Sequence, residues 1–408
     1  MSKNEEVTVH IDAQLNASPQ SPVNNYEDYD DEDSPLQMES VLEHNHKRLG
    51  ICFWFTIVAF IAILLSLFIL SPISGVLSSV ACFPAVMILF GLYIFKRDTL
   101  SMELSLEMFW GGVFSVVIVF IIELLIGVAY GFAVYAVGSQ YIDPKDINAL
   151  KELMQPKGQG IVSVAAALFN SFVVASMVEE TTKYILSYRV SHEGTEKHKV
   201  FYHSGPESAM IYSAVAALGL ATFENVGYVL ADYFSQTNGG KTLSTLLESG
   251  IYLAILRILT AVPIHVLNGC LIGLFFWRNK GRDVSFHFLR VIWLPFIIHG
   301  LYDFILLSVS LMNSKLGGLA ILLAFVMVVI SSTIVYILYN RYKQLNRQNL
   351  SSSILNEVMV DSDDDEEEYD ERVSNRLIKT QKVESHEDVQ ETPIVDLDSM
   401  SSPIIPKN

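Results

Sequence analysis

Cysteine is scarce in this sequence: Cys52, Cys82 and Cys270 are the three in 408 residues. All lie in apolar stretches at scattered spacing, which excludes a disulfide framework and a Cys-based metal motif. They read as small residues that let helices pack. No apolar stretch occurs in the first 46 residues, so no signal peptide is expected there. No His-Glu-x-x-His run is present, which excludes a zinc motif carried on one helix. Nor does any repeat relate the first half of the apolar region to the second, so the internal symmetry common in transporters is missing. Basic charge is short too, with 27 Lys and Arg against 44 Asp and Glu and a formal charge of −17.

That acidity is not spread evenly. Residues 1–46 carry −10 and residues 351–408 carry −11, which leaves about +4 for everything between. The tails contain "NNYEDYDDEDSP" and "DSDDDEEEYDE", too charged and too poor in apolar groups to offset the entropy of folding. Both are expected to be disordered. Runs of one negative sign repel nucleic acid and anionic lipid, so neither is expected as a tail partner. Phosphorylation by a kinase around Ser34 or Ser362, or docking of a cytosolic partner, are the functional readings of these tails beside plain solvation.

What the sequence has in abundance is hydrophobicity, 51% of residues with a mean hydropathy of +0.37. A bilayer core needs about 20 apolar helical residues. Runs of that kind occur near 51–70, 76–95, 111–137, 161–179, 208–231, 249–277, 286–312 and 316–339. The fold class expected is therefore an all-α polytopic membrane protein of about eight transmembrane helices, flanked by disordered acidic cytosolic tails. The domains are an N-terminal tail over 1–46, a helical bundle over 47–340 and a C-terminal tail over 341–408. With the N-terminus inside, fourteen Lys and Arg near the spans fall on the cytosolic side and five opposite, which predicts both termini in the cytosol. The sequons at Asn16 and Asn349 would then stay unglycosylated. Between Pro144 and Pro156 a short amphipathic helix is expected on the outer face. The organelle is left open between endomembrane and plasma membrane.

Ionisable groups inside spans are costly and usually face a bundle interior or a wet cavity. Here they gather in the later spans. "SMVEETTKY" places Glu179, Glu180 and Lys183 at the end of the fourth run; Glu179 and Lys183, four apart, can pair while Glu180 points about 100° away. Glu224 lies in "GLATFENVGYV", His265 in "PIHVLNGCLIG", and His299 with Asp303 in "HGLYDF". The last two are also four apart, so the carboxylate can hold one ring nitrogen and leave the other free. Gly269 and Gly273 follow His265 at four and eight, which keeps its face bare for a neighbouring helix. Pro263 and Pro295 precede the two histidines and can bend their helices towards a cavity. The bland readings are snorkelling charges for the fourth run, a structural ion pair for His299 and Asp303, and interhelical hydrogen bonding for Glu224 and Asn225. Glu123 fits no constellation and reads as packing or cavity lining. That four helices each carry a proton-active group favours one shared polar chamber.

At these residues the sequence resembles the PrsW family of intramembrane proteases, itself more distantly similar to the CAAX-prenyl protease superfamily. The resemblance covers about 160–312 and rests on four blocks in order, "EETTK", "GLATFENVGYV", "PIHVLNGCLIG" and "HGLYDF". The first three spans and both tails have no assigned counterpart. It implies that Glu179 and Glu180 are the essential carboxylates, that Glu224, His265 and His299 complete the site, and that Lys183, Asn225 and Asp303 support it. No ionisable position departs from the pattern.

Hydrolysis inside a bilayer needs a protected water, a base, an acid for the leaving nitrogen and donors for the oxyanion. Two adjacent carboxylates can share a proton and supply acid and base. Two histidines with a glutamate could instead hold zinc, so the cofactor question stays open between a glutamic and a metal-assisted site. The substrate expected is a membrane-anchored protein, cut near the cytosolic leaflet. A proton-coupled transporter or channel, and a non-cleaving protease-like scaffold, are the alternatives.

Overall fold

Hydrocarbon offers no water to backbone N–H and C=O groups, so an open chain crosses it as helices whose bonds are internal. Among the described residues every regular element is helical. The computed structural model describes residues 54–69, 71–96, 99–138, 161–192, 196–239, 242–279, 287–312 and 317–360. Helix α1 is Trp54–Ile69, followed by α2, Pro72–Lys96, and α3, Met102–Gly138. Next come α4, Ile161–Leu168, a π-helical stretch Phe169–Ser176, and α5, Met177–Ser191. A short α6, Glu196–Tyr202, leads to α7, Pro206–Asn238, α8, Leu243–Leu259, and α9, Ala261–Arg278. Helices α10, His287–Met312, and α11, Gly317–Val360, complete the chain as described.

Seven of these helical segments are long and apolar enough to cross a membrane, with α4 to α5 counting as one and α8 to α9 as another. The protein is an integral multi-pass membrane protein. The first run expected from sequence is present as α1, shorter than the others over its described residues. The chain divides into two units, 1–59 and 60–408. Of the first, the described part is the opening of α1; all that follows concerns the second.

Helix α7 is the axis of the bundle. Its buried face is built from small residues, Ala209, Ala216, Ala217 and Ala221, with Tyr212, Leu218 and Leu220 among them. Small side chains let backbones touch, and close packing drives association where no hydrophobic effect acts between helices. A Cβ on Gly219 would strike the Phe109 carbonyl oxygen of α3, and one on Gly112 of α3 would strike that of Ala216. On the other side, Gly269 and Gly273 of α9 lie against the α7 backbone at Ser213 and Ala209. The bare histidine face expected from the sequence is thus the α7 contact. Outward faces of α3, such as Phe114, Ile118 and Leu125, stay exposed and suit lipid.

One end of the bundle is tied by ion pairs. Lys96 Nζ meets Glu207 Oε1 at 2.6 Å, and Tyr339 donates to Glu207 Oε2 at 3.3 Å. Glu107 receives Lys197 and Arg189, which joins α3 to α5 and α6.

Three boundaries differ from the sequence reading. The fourth run, expected to stop at 179, continues as α5 to Ser191, because the residues after the acidic pair still pack inward at Tyr184, Ser187 and Val190. Glu180 therefore lies about 17 Å before the helix end, at 1.5 Å per residue, rather than at a span edge. The sixth run breaks at Thr260, where φ is −125° and ψ −62°. Pro263 just beyond cannot donate to Leu259 and clashes with a regular turn there. Pro295, by contrast, sits inside an uninterrupted α10. Helix α11 carries on past 340 to Val360, so the first part of the expected C-terminal tail is helical. The N-terminal tail, residues 361–408 and the helix expected between Pro144 and Pro156 lie outside the described residues.

Candidate functional site

The π-helical stretch runs directly into the acidic pair. A π-helix inserts an extra residue per turn and turns up disproportionately at functional sites. Here it ends at Ser176, whose hydroxyl donates to the Phe296 carbonyl of α10 at 2.7 Å. That bond docks the segment on the helix carrying His299. Three residues later come Glu179 and Glu180, 3% and 0% exposed, with Lys183 at 1%. These are not snorkelling charges at an interface.

Glu180 is the most heavily bonded group of the site. Its Oε1 accepts from Lys183 Nζ at 2.6 Å and Asn268 Nδ2 at 3.2 Å, and faces His299 Nδ1 at 2.7 Å. Its Oε2 is buried with no hydrogen-bond partner. The Glu179–Lys183 pair expected from spacing is therefore replaced by Glu180 and Lys183 at i, i+3. Both spacings bring side chains to one face; the surrounding helices select between them, since Asn268 and His299 also converge on Glu180.

Glu179 faces the two histidines. Its Oε2 lies 3.3 Å from His265 Nδ1 without a hydrogen bond, and its Oε1 lies 4.0 Å from His299 Nε2. The two rings meet edge to face, centroids 4.8 Å apart. His265 Nδ1 is 3.0 Å from Lys183 Nζ. An ammonium has protons to give and no lone pair, so Nδ1 accepts and the ring proton is on Nε2, 3.0 Å from Glu224 Oε2, which makes no hydrogen bond. His299 Nε2 is 3.2 Å from Asp303 Oδ2, as the i, i+4 spacing predicts. Its other nitrogen, expected to be free, faces Glu180 instead. Glu179, His265 and His299 each offer a ligand atom, all within 4.8 Å of one another.

The structure thus brings Glu179, Glu180, Lys183, Glu224, His265, His299 and Asp303 into one cluster from four spans. Asn225 is buried on α7, and neither end of its amide finds a partner. Two members of the cluster escaped the sequence reading. Asn268 bridges Glu180 to the Pro295 carbonyl; it follows His265 by three, on the same helical face, so spacing carried the signal. Arg257 donates to Glu224 Oε1 at 2.8 Å, and its guanidinium lies 3.9 Å over the Tyr228 ring. A lone arginine inside "LAILRILT" was itself a signal, since a charge at that depth needs a partner.

Beside the cluster lies a cavity of about 830 Å³, lined by Glu123, Gly127, Gly131, Asn170, Ala175 and Tyr228 among others. Glu123 is thus a cavity-lining residue.

Comparison with known proteins gives one family model, "PrsW family intramembrane metalloprotease", matching residues 102–333. The match begins at α3, so the third span has a family counterpart that the sequence blocks did not reveal. A protein named Protease PrsW from Geobacillus kaustophilus (strain HTA426) is 30% identical over 152 residues, 37% of this chain and 56% of the relative. Its namesake from Clostridioides difficile (strain 630) is 32% identical over 145 residues, 34% of this chain and 52% of the relative. Another, from Bacillus subtilis (strain 168), is 31% identical over 152 residues, 35% and 57% of the two chains. The chain spans about half the length of the relatives it matches. No solved structure gives a significant match.

Proposed function

The chain belongs to the PrsW family, and from that premise we propose that it is an intramembrane endopeptidase hydrolysing a peptide bond of a membrane-anchored protein. The observation that carries the reading is the buried trio of Glu179, His265 and His299, with ligand atoms within 4.8 Å of one another. Two imidazoles and a carboxylate are the protein ligands of one class of catalytic zinc site. Glu179 Oε2 is buried without a hydrogen-bond partner, so the donor set fits a zinc-like ion. When bound there, such an ion supplies a Lewis acid for the scissile carbonyl.

The remaining roles belong to the chain itself. Glu180 is the general base: Lys183 and Asn268 hold Oε1, and the unpartnered Oε2 is available to take a proton from the attacking water. The water oxygen bonds to the carbonyl carbon, the C–N bond breaks, and Glu180 returns the proton to the leaving nitrogen. Lys183 fixes Glu180 and neutralises it. Lys183 sets the tautomer of His265, Glu224, held by Arg257, faces the protonated nitrogen of that ring, and Asp303 orients His299. Asn225, with an unsatisfied amide, is the neutral donor for the developing oxyanion. Both tails are assigned to the cytosol, and the acidic segments to a cytosolic partner or kinase.

The test is cleavage of a library of single-span membrane peptides by the purified wild type and Glu180→Gln, with metal content measured on the same samples. Wild-type cleavage reduced at least about 100-fold in Glu180→Gln is expected, the scale of a lost general base. Stoichiometric zinc, lost in His265→Ala, is expected alongside. An active, metal-free wild type would transfer the chemistry to Glu179 and Glu180 as an acid and base pair. Failure to cleave any peptide, with proton flux across liposomes instead, would replace the protease by a transporter.

A further inference from the structure

The proposed chemistry leaves Glu123 without a task. It sits on α3 in the wall of the 830 Å³ cavity, half-buried. Among the described residues it makes no hydrogen bond or ion pair. A carboxylate on a lipid-facing helix with no partner is costly, and such groups by default mark a site whose partner is absent. Asn170 and Tyr228 bring an amide and a phenol to the same cavity, and both are exposed. Bare lipid would leave these polar groups unsatisfied.

The cavity adjoins the site through its lining residues. Tyr228 follows Glu224 by four on one α-helix and so stacks one turn from a site carboxylate, and Ala175 lies in the π-helical stretch that leads into Glu179. The Tyr228 ring also lies under Arg257, which holds Glu224. On α3 the cavity wall continues through Gly127 and Gly131, four apart, leaving a bare strip along which another chain can lie.

Resting on the protease reading, we propose that this cavity is the substrate channel and that Glu123 selects a membrane segment bearing a lysine or arginine beside the scissile bond. The basic side chain enters the cavity and pairs with Glu123, while Asn170 and Tyr228 bond the locally unwound backbone. The apolar walls cover the rest of the segment. The offset follows from helix geometry. Glu107 and Arg189 are in contact and set a common level. From there Glu123 is sixteen residues along α3 and Glu179 ten along α5, a difference of about 9 Å. In extended peptide this corresponds to about three residues. The lysine therefore belongs about three positions from the bond that is cut.

The experiment is a binding measurement on full-length Glu180→Gln in phosphatidylcholine nanodiscs, with synthetic single-span peptides carrying one lysine moved through the sequence. Binding in this variant does not depend on turnover, so it reports on the channel even if the wild type cuts nothing. Phosphatidylcholine removes the primary amine of other headgroups as a competing occupant. One lysine position is expected to bind about tenfold more tightly than its glutamine counterpart. Adding Glu123→Gln abolishes the difference, and adding Glu123→Lys transfers the preference to a glutamate peptide. Glu123→Gln is nearly isosteric, and unchanged thermal unfolding shows that it folds. A flat lysine scan, or a preference that survives Glu123→Gln, overturns the proposal while leaving cleavage as a separate result.

Discussion

At the scale of single residues, the informative outcome is which glutamate Lys183 holds. Helical spacing allows both Glu179 and Glu180, and a buried charge must take one partner or be expelled. The structure chooses Glu180, at 2.6 Å with both groups nearly inaccessible. A double-mutant cycle checks this directly. Lys183→Met alone is expected to destabilise by about 3 kcal/mol, because it leaves a buried carboxylate uncompensated. Combining it with Glu180→Gln should recover much of that loss, whereas combining it with Glu179→Gln should be close to additive. Thermal unfolding in detergent reads both; equal coupling to the two glutamates would contradict the assigned pairing. His299 teaches the same lesson. Its Asp303 contact is intrahelical and was legible from spacing, while its Glu180 contact comes from another helix and was not.

At the scale of elements, two crossings on α7 position the site. Gly112 and Gly219 bring α3 onto α7, and Gly269 and Gly273 bring on α9. His265 and Glu224 face each other because α9 lies directly on the α7 backbone. Gly273→Leu should therefore wedge these helices apart, costing about 1–3 kcal/mol by overpacking, and should lower peptide cleavage further than the stability loss explains. Gly91→Leu is the control, since nothing lies within 4 Å of that position; matching effects in the two variants would remove the special role of the α7 crossing. The break at Thr260 was signalled by Pro263, but the π-helical stretch was not signalled at all. No residue of "FNSFVVAS" demands a π-turn. Its widened turn is accompanied by the Ser176 hydroxyl bond to α10 and the packing of Phe172 against Phe296.

At the scale of the whole molecule, the ion pairs joining Glu107, Glu207, Lys96, Arg189 and Lys197 gather at one end of the bundle. Of the fourteen basic residues assigned to the cytosol, Lys183 drops out, being a buried site residue. Thirteen against five still favours both termini inside. Asn16 and Asn349 are accordingly expected to stay unmodified, and a sequon engineered within 139–160 should be glycosylated. An endoglycosidase shift checks each position, and modification at Asn16 or Asn349 would invert the topology.

The all-helical, membrane-spanning class and the approximate position of the spans were legible in the amino-acid sequence, with seven segments long enough to cross where eight were expected, and the candidate site residues were proposed from it. Hydrophobic run length is a one-dimensional quantity set by bilayer thickness, and an ionisable group inside such a run stands out without coordinates. Arg257 and Asn268, the Glu180–Lys183 pairing, the continuation of α5 beyond the acidic pair and the cavity at Glu123 came from the packed bundle. Each depends on which helix lies opposite, and glycine-mediated contacts between residues far apart along the chain decide that.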